Sequence, residues 1–259
     1  TGALYGLITM LLKSISDFSP DDIIAARDLP GPTFRDKMFD AYKGTRAEID
    51  EPLVDQLKKA PRLLEAFGVP VYSAEGFEAD DVIGTIAEHV KNEVDVIIAT
   101  GDADMFQLVD KERVQVFHLR QGINDVVLYG DERVRERYGF GPEHVIDYKG
   151  IRGDASDNIP GVPGVGEGSA TKLIEGLGSL EDIYEAIEKS GVEKVAKEVG
   201  VQKRYVQLVA DNKDKASFSR ELATIKRDAP INFELPKVEW SIAEHIDAID
   251  TVCDEFEFR

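Results

Sequence analysis

The residues best suited to chemistry in this 259-residue chain are acidic side chains that occur in four separate segments. They are Asp28, Glu78, Asp80, Asp81, Asp102, Asp104, Asp154 and Asp157. Carboxylates crowded in this way repel one another unless a cation neutralises them, and their oxygens are the ligands that Mg²⁺ prefers. Two such ions about 4 Å apart can activate a water molecule and stabilise the leaving oxygen of a phosphodiester. We therefore predict that the four segments converge on a pair of divalent ions.

Each acidic segment taken singly also fits a purely structural role. Glu78, Asp80 and Asp81 would lie on the first turn of a helix, where acids complement the helix dipole and cap free N–H groups. Asp102 and Asp104 could form a turn and a helix cap, and Asp154 and Asp157 are spaced by one helical turn. Four such segments at element ends are harder to explain by coincidence than any one of them, which favours the metal site.

Three basic residues, Arg35, Lys43 and Arg46, follow Asp28 at short distances along the chain. Cations beside a metal–carboxylate centre could hold the scissile or 5′-terminal phosphate of a substrate. As isolated charges they could equally be solvated surface residues. We predict phosphate-contacting roles for all three and a catalytic contribution from Arg35 and Lys43, together with Asp28.

A glycine-rich segment, Gly161-Val-Pro-Gly-Val-Gly166, precedes a helical pattern that contains Lys172. Closely spaced glycines before a helix allow backbone N–H groups to approach a phosphate. The segment is typical of a helix–hairpin–helix that grips a DNA backbone without distinguishing bases, with contacts from Gly161, Val162, Gly164, Gly166 and Lys172. An ordinary helix–turn–helix junction is the alternative. A Walker loop is excluded, because the Gly-Lys-[Ser/Thr] ending is absent.

The elements that must position these residues alternate between strands and helices in the first half of the chain. Strand patterns occupy residues 22–27, 69–72, 94–100, 114–117 and 126–129. Helical patterns occupy residues 1–13, 52–67 and 79–92. This alternation predicts an α/β fold with a mostly parallel central sheet flanked by helices, in which ligands bind beyond the carboxyl ends of the strands. Short helices with glycines follow, so we place one domain at 1–148 and a helical unit at 149–259.

Composition limits the classes of function. The single cysteine, Cys253, excludes a disulfide framework and a cysteine zinc site, which is typical of a reducing, cytoplasmic compartment, and no apolar stretch is long enough to span a membrane. The formal net charge of −19 argues against a DNA partner. Metal-binding carboxylates account for part of this acidity, because bound cations reverse the local charge. Residues 191–230 are locally basic, with nine Lys or Arg against six Asp or Glu.

In this order the motifs resemble the 5′–3′ exonuclease domain of bacterial DNA polymerase I and its flap-endonuclease relatives. The motifs that carry the resemblance are Arg27-Asp-Leu-Pro-Gly-Pro-Thr-Phe-Arg35, Tyr42-Lys-Gly-Thr-Arg46, Gly76-Phe-Glu-Ala-Asp-Asp81, Thr100-Gly-Asp-Ala-Asp104 and Gly153-Asp-Ala-Ser-Asp-Asn-Ile-Pro-Gly-Val-Pro-Gly-Val-Gly166. The resemblance implies a PIN-like nuclease core, two Mg²⁺ or Mn²⁺ ions held by the eight carboxylates above, and K⁺ at the hairpin. It also implies a bacterial enzyme that cuts flaps, nicks or RNA primers on duplex DNA during replication and repair, with a polymerase domain following in the same polypeptide.

The sequence departs from that family at several positions. The family begins with a strand that carries an Asp-Gly motif, whereas this chain starts at the following helix and also stops early, so we expect a fragment trimmed at both ends. Pro30, Ala103 and Gly168 stand where relatives often have lysine. Two other functions stay open: a non-catalytic module that binds DNA junctions, because the first strand is missing, and a small-molecule phosphohydrolase.

Overall fold

Five short strands form two small sheets in the computed structural model, which describes residues 2–47, 50–111, 113–120 and 125–258. In the first sheet, β1 (Ala25–Ala26) pairs in parallel with β2 (Val71–Tyr72). In the second, β3 (Val96–Thr100) pairs in parallel with β4 (Val114–Leu119), and β4 pairs antiparallel with β5 (Val126–Tyr129). Asp28 and Asp102 each lie two residues beyond the end of a strand, where the sequence places them.

Helices surround these sheets and make up most of the described chain. Residues 2–138 contain α1 (Gly2–Phe18), α2 (Phe34–Met38), α3 (Glu51–Ala66), α4 (Ala79–Val90) and α5 (Asp131–Tyr138). The second half contains α6 (Val145–Arg152), α7 (Glu167–Leu177), α8 (Leu180–Ser190), α9 (Val192–Glu198), α10 (Lys203–Asp211), α11 (Lys213–Ala223) and α12 (Ile246–Glu255). Within the described ranges, no helix is both long enough and apolar enough to cross a membrane.

The largest buried core runs without a break from the second sheet into the helical unit. Phe106 and Val116 from the first half lie in one cluster with Ile151 and Leu173 from the second. A second core joins the two ends of the chain, because Leu4 of α1 lies in one cluster with residues of α3 and with Val252 of α12. Close-packed cores of this kind hold the loops at the sheet edge in fixed relative positions.

The α/β class and the C-terminal helical unit predicted from the sequence are confirmed. The sheet itself is less continuous than expected in the described residues, since it forms two separate groups of strands and β5 runs antiparallel. Asp154 and Asp157 lie in a tight turn instead of a helical turn. Reciprocal backbone hydrogen bonds of 2.9 and 2.7 Å between Asp154 and Ile159 close that turn.

Candidate metal centre

The N-terminus of α4 carries three of the predicted metal ligands. Glu78 is the N-cap residue, and Asp80 and Asp81 lie in the first turn, as the sequence indicates. Successive helical residues point about 100° apart, so neighbouring side chains face different surroundings. Glu78 and Asp80 face a narrow recess that Tyr42, Asp104 and Asp157 also line. Asp81 is fully buried behind it.

Asp81 forms a buried ion pair with Arg35, and this corrects the expectation for both residues. Arg35 Nη1 and Nη2 donate to the two Asp81 oxygens at 2.7 and 2.8 Å. The same oxygens accept from the backbone N–H groups of Glu78 at 3.0 Å and Lys226 at 2.8 Å. A carboxylate with four donors in place has no free position for a metal ion, so Asp81 serves the structure of the site and does not line its opening.

Arg35 was predicted to contact a substrate phosphate, but its guanidinium is committed inside the protein. Beyond the two bonds to Asp81, Nη1 donates to Glu78 at 3.1 Å, Nη2 to the Thr224 carbonyl at 2.7 Å, and Nε to the Leu222 carbonyl at 2.9 Å. These bonds use all five N–H groups of an arginine. Only 2% of the residue is exposed. Arg35 therefore joins α2, α4 and the end of α11.

Glu78 and Asp157 meet at the hydroxyl of Tyr42, a residue to which sequence reasoning assigned no role. The hydroxyl lies 3.1 Å from Glu78 Oε2 and 3.2 Å from Asp157 Oδ2. It has a single proton and donates to one carboxylate at a time. Burial and the two acidic neighbours raise the pKa of Tyr42, so the hydroxyl stays protonated. Lys43 Nζ at 2.5 Å from Glu78 and Arg46 at 2.5 Å from Asp157 balance the remaining negative charge.

Asp80 and Asp104 line the recess, and the charge of Asp102 acts on both of them. Burial, followed by repulsion from Asp102 and Glu78, raises the pKa of Asp80 to about 7. Burial and the charge of Asp102 raise the pKa of Asp104 to about 6, even though Lys149 acts in the opposite direction. Asp102 itself caps the following 3₁₀ turn by accepting from the Asp104 N–H at 2.8 Å. The start of α4 and the end of β3 thus bring mutually repelling carboxylates together, as a cation site requires.

Lys149 lies between Asp104 and Asp154 and is the second residue that sequence reasoning missed. Its Nζ contacts a carboxylate oxygen of Asp104 and lies 2.6 Å from Asp154. Burial lowers the pKa of Lys149, but the two carboxylates outweigh it and the net shift is upward. Burial alone would raise the pKa of Asp154, yet Lys149 and donors from Ser156 lower it to about 2. A lysine beside Tyr148 in α6, five residues before Asp154, is the signal that could have identified it.

Asp28 lies at the edge of this group. Its Oδ1 accepts from the backbone N–H of Ala79 at 2.7 Å, which places it beside the first turn of α4. The residue is exposed, so its second oxygen is accessible to solvent. Asp28 therefore joins Glu78 and Asp80 from a different strand end.

The donor set suits a hard divalent cation, although the carboxylates are not arranged as a finished site. Across the ranges that the structure describes, no three His, Cys, Asp or Glu side chains stand close enough to coordinate one ion. Glu78, Asp104, Asp154 and Asp157 instead contact Lys43, Lys149 and Arg46. The oxygen-only chemistry and the mutual repulsion at Asp80 fit divalent metal ions, with small side-chain movements away from the lysines and arginine.

The predicted hairpin lies between α6 and α7, and two of its expected DNA contacts have structural roles instead. The Gly161 N–H donates to Ser219 Oγ at 3.0 Å, and the Val162 N–H donates to the Ile151 carbonyl at 2.7 Å. Both residues are buried, so neither N–H can reach a phosphate. Gly164, Gly166 and Lys172 are exposed, as a backbone-gripping surface requires.

Comparisons with known proteins give one consistent result. The family model for the N-terminal resolvase-like domain of 5′-3′ exonucleases matches residues 1–139, and the model for their C-terminal SAM fold matches residues 140–245. DNA polymerase I of Chloroflexus aurantiacus is 39% identical over all of this chain, and that of Bacillus subtilis is 40% identical over 93% of it. The matched region is 26% of each relative, so the chain spans about a quarter of their length.

Solved structures show the same fold. Bacteriophage T5 5′-exonuclease with bound zinc has a TM-score of 0.68 at 21% identity, covering 98% of this chain and 88% of that one. The T5 flap endonuclease in a pseudo-enzyme-product complex with DNA and metal ions has a TM-score of 0.68 at 21% identity, covering 97% and 86%. Human GEN1 in complex with Holliday junction DNA has a TM-score of 0.54 at 17% identity, covering 96% and 60%.

Proposed function

Because this chain belongs to the 5′-3′ exonuclease family, we propose that it hydrolyses phosphodiester bonds near the 5′ end of a branched or nicked duplex DNA strand, with the help of two divalent metal ions. The observation that carries the proposal is the recess at the strand ends. There, Glu78, Asp80 and Asp104 converge with Asp157 from the helical unit. Lys43 and Arg46 stand beside them. Under this proposal, cations suited to hold a phosphate would lie next to carboxylates suited to hold metal ions.

The residues that would hold the ions divide into two neighbouring groups. Glu78, Asp80 and Asp28 lie at the N-terminus of α4 and form one. Asp104 and Asp154, which both contact Lys149, form the other. The charge of Asp102 acts on Asp80 in the first group and on Asp104 in the second. Asp157 faces Glu78 through Tyr42. When bound, divalent ions in such a site supply an activated water at neutral pH and stabilise charge on the leaving oxygen. We include neither Asp81 nor Arg35 among the groups that touch substrate.

The chain's own residues then position the strand. Lys43 and Arg46 lie in a short loop fixed to the 154–159 turn by the bond from the Lys43 N–H to the Asp157 carbonyl at 2.9 Å. Both cations contact carboxylates that line the recess, where they would hold the scissile or 5′-terminal phosphate. Backbone N–H groups around Gly164 and Gly166 and the ammonium of Lys172 would hold a more distant part of the duplex by its phosphates.

The finer features of the proposal follow from the relatives. The curated matches are named DNA polymerase I and are about four times as long as this chain. We infer that the nuclease acts beside a polymerase and removes primer or damaged segments ahead of it, in a bacterial cytoplasm. Magnesium or manganese is the expected pair of ions, with potassium at the hairpin.

A non-catalytic module that binds DNA junctions is the second candidate. It is favoured by the ion pairs that Lys43, Arg46 and Lys149 make with the carboxylates, and by the lack of a ready coordination group within the described residues. Such a module would bind branched DNA with or without metal and would leave its strands intact.

Cleavage of a 5′-labelled flap duplex in Mg²⁺, Mn²⁺ or EDTA separates these functions. We expect cleavage with either metal and none in EDTA. Asp80→Asn and Asp102→Asn should each reduce the rate by about 100-fold or more, since a metal's electrostatic stabilisation amounts to several kcal/mol. Asp247→Asn, an exposed aspartate on α12, is the matched control and should leave the rate unchanged.

Two outcomes would refute the proposal. Tight binding without cleavage under every metal condition would establish the junction-binding module. Hydrolysis of a simple nucleotide ester, with no preference for DNA, would establish a phosphohydrolase.

A further inference from the structure

Helix α5 carries three arginines whose surroundings differ sharply. Arg135 is neutralised by two carboxylates, with Nε at 2.6 Å from Asp131 and Nη2 at 3.0 Å from Glu143. Arg133 is exposed. Arg137 is also exposed, yet it has no carboxylate partner among the residues that the structure describes. In a chain with 50 acidic and 31 basic residues, Arg137 is thus an exposed cation whose charge is not neutralised by a carboxylate of the described residues.

Aromatic rings hold the Arg137 side chain in place. Its guanidinium carbon lies 5.2 Å from the centre of the Phe106 ring, 5.6 Å from Tyr129 and 5.4 Å from Tyr138. Nη1 also donates to the Tyr129 hydroxyl at 3.1 Å. These contacts fix the planar group while leaving its charge unpaired, so little side-chain entropy is lost when it binds an anion. A guanidinium held in this way matches the bidentate geometry of a phosphate.

The three aromatic rings that contact Arg137 lie close to the acidic recess. Phe106 belongs to the 3₁₀ turn that Asp102 caps and that contains Asp104. The charges that act on the Tyr138 side chain include Arg137, Lys149 and Asp104. Arg137 and Asp102 both act on His118 of β4. Arg137 therefore stands near the end of β3, where Asp102 and Asp104 lie.

We propose that Arg137 contacts a backbone phosphate of the bound DNA strand where it passes the Asp102–Asp104 segment. This contact rests on the proposed function, because a DNA strand in the recess must pass the negative charges of Asp102 and Asp104. The fixed cation of Arg137 offsets the repulsion between these carboxylates and the phosphates. Since the contact is to a phosphate, it adds affinity and orientation but does not distinguish bases.

The test compares Arg137→Gln with Arg133→Gln, which removes the same charge from the same helix. Binding of a fluorescent flap duplex is measured by anisotropy over a range of KCl, with Ca²⁺ in place of Mg²⁺. We expect Arg137→Gln to weaken binding about tenfold, in keeping with loss of a charge-assisted hydrogen bond. The slope of log K against log[KCl] should fall by about 0.9, the value for one phosphate contact on duplex DNA. Arg133→Gln should change affinity less than twofold and leave the slope unchanged.

Arg137→Lys keeps the charge and guards against a folding artefact, and the melting temperature of each variant is recorded alongside. The lysine variant should keep the salt slope of the unmodified protein and show intermediate affinity. Equal effects of the two glutamine variants on binding, or an unchanged salt slope in Arg137→Gln, would overturn the proposed contact. Neither result would bear on the proposed cleavage of DNA. Failure of the unmodified protein to bind or cut flap DNA would instead remove the proposed function, and this contact with it.

Discussion

Replacing Arg35 by glutamine should destabilise the protein more than any other single loss of charge near the recess. Arg35 is 2% exposed and Asp81 is fully buried, so the variant leaves a buried carboxylate without its cation. Breaking a buried ion pair by removing one partner costs about 3–5 kcal/mol. Glutamine cannot reproduce the five-donor fork, and the carbonyls of Leu222 and Thr224 lose their donors as well.

Urea denaturation followed by circular dichroism measures this cost directly. We expect the free energy of unfolding to fall by at least 3 kcal/mol in Arg35→Gln, which for a chain of this size corresponds to a drop in melting temperature of about 6–12 °C or more. Arg46→Gln is the matched control. Its partner Asp157 is also a carboxylate, but 52% of the Arg46 side chain is exposed, and such pairs contribute about 0–1 kcal/mol.

A double-mutant cycle with Asp81→Asn isolates the pair. If the two residues act as one unit, the double variant should be less destabilised than the sum of the single variants by about 2 kcal/mol or more. The phosphate-contact interpretation of Arg35 makes the opposite prediction, namely lost DNA binding at unchanged stability. A stability change below 1 kcal/mol in Arg35→Gln, or one equal to that of Arg46→Gln, would refute the buried-pair argument.

Two further predictions follow from the second half of the site. Lys149→Met leaves Asp104 and Asp154 facing each other without a cation, so it should lower the melting temperature in EDTA. It should also enlarge the rise in melting temperature that Mg²⁺ produces, as measured by differential scanning fluorimetry. A rise equal to that of the unmodified protein would contradict this. Gly161→Ala should impair folding, because its φ is +62° and a Cβ would lie 2.3 Å from a backbone nitrogen across the loop. Gly168→Ala, where a Cβ meets open space within α7, should be neutral or stabilising by up to about 1 kcal/mol when both are compared by urea denaturation.

The general position of the site could be predicted from the sequence because it depends on local patterns. Acidic residues after an apolar strand or at the start of a helix must lie at the carboxyl edge of a sheet. That reasoning gives the place of Asp28, Asp80 and Asp102. The division into strands and helices follows equally from hydrophobic periodicity, since β3 and α4 have few alternatives for burying their apolar faces.

The roles of individual charged residues could not be predicted, because they depend on partners far along the chain. Asp80 and Asp81 are adjacent in sequence, yet one lines the recess and the other lies fully buried behind it. The sequence around Arg35 gives no sign of burial, because residues 222–226, which cover the Arg35–Asp81 pair, lie far along the chain. Lys149 becomes a counter-ion only when α6 brings it to Asp104, which lies 45 residues earlier. Long-range contacts of this kind have no local sequence signal.

The positions of Lys43 and Arg46 bear on how a chain this acidic could bind DNA under the proposed function. Lys43 and Arg46 have two competing partners under the proposed function, the carboxylates that they contact in this structure and the phosphates of a bound strand. A cation cannot neutralise both at close range, because each contact uses the same N–H donors. Divalent ions bound to the carboxylates would replace Lys43 and Arg46 as their counter-ions. The two side chains would then be available to bind phosphates. Under the proposed function, the recess would then be repulsive to DNA without metal and attractive with it, so the net charge of −19 does not conflict with a polyanionic substrate.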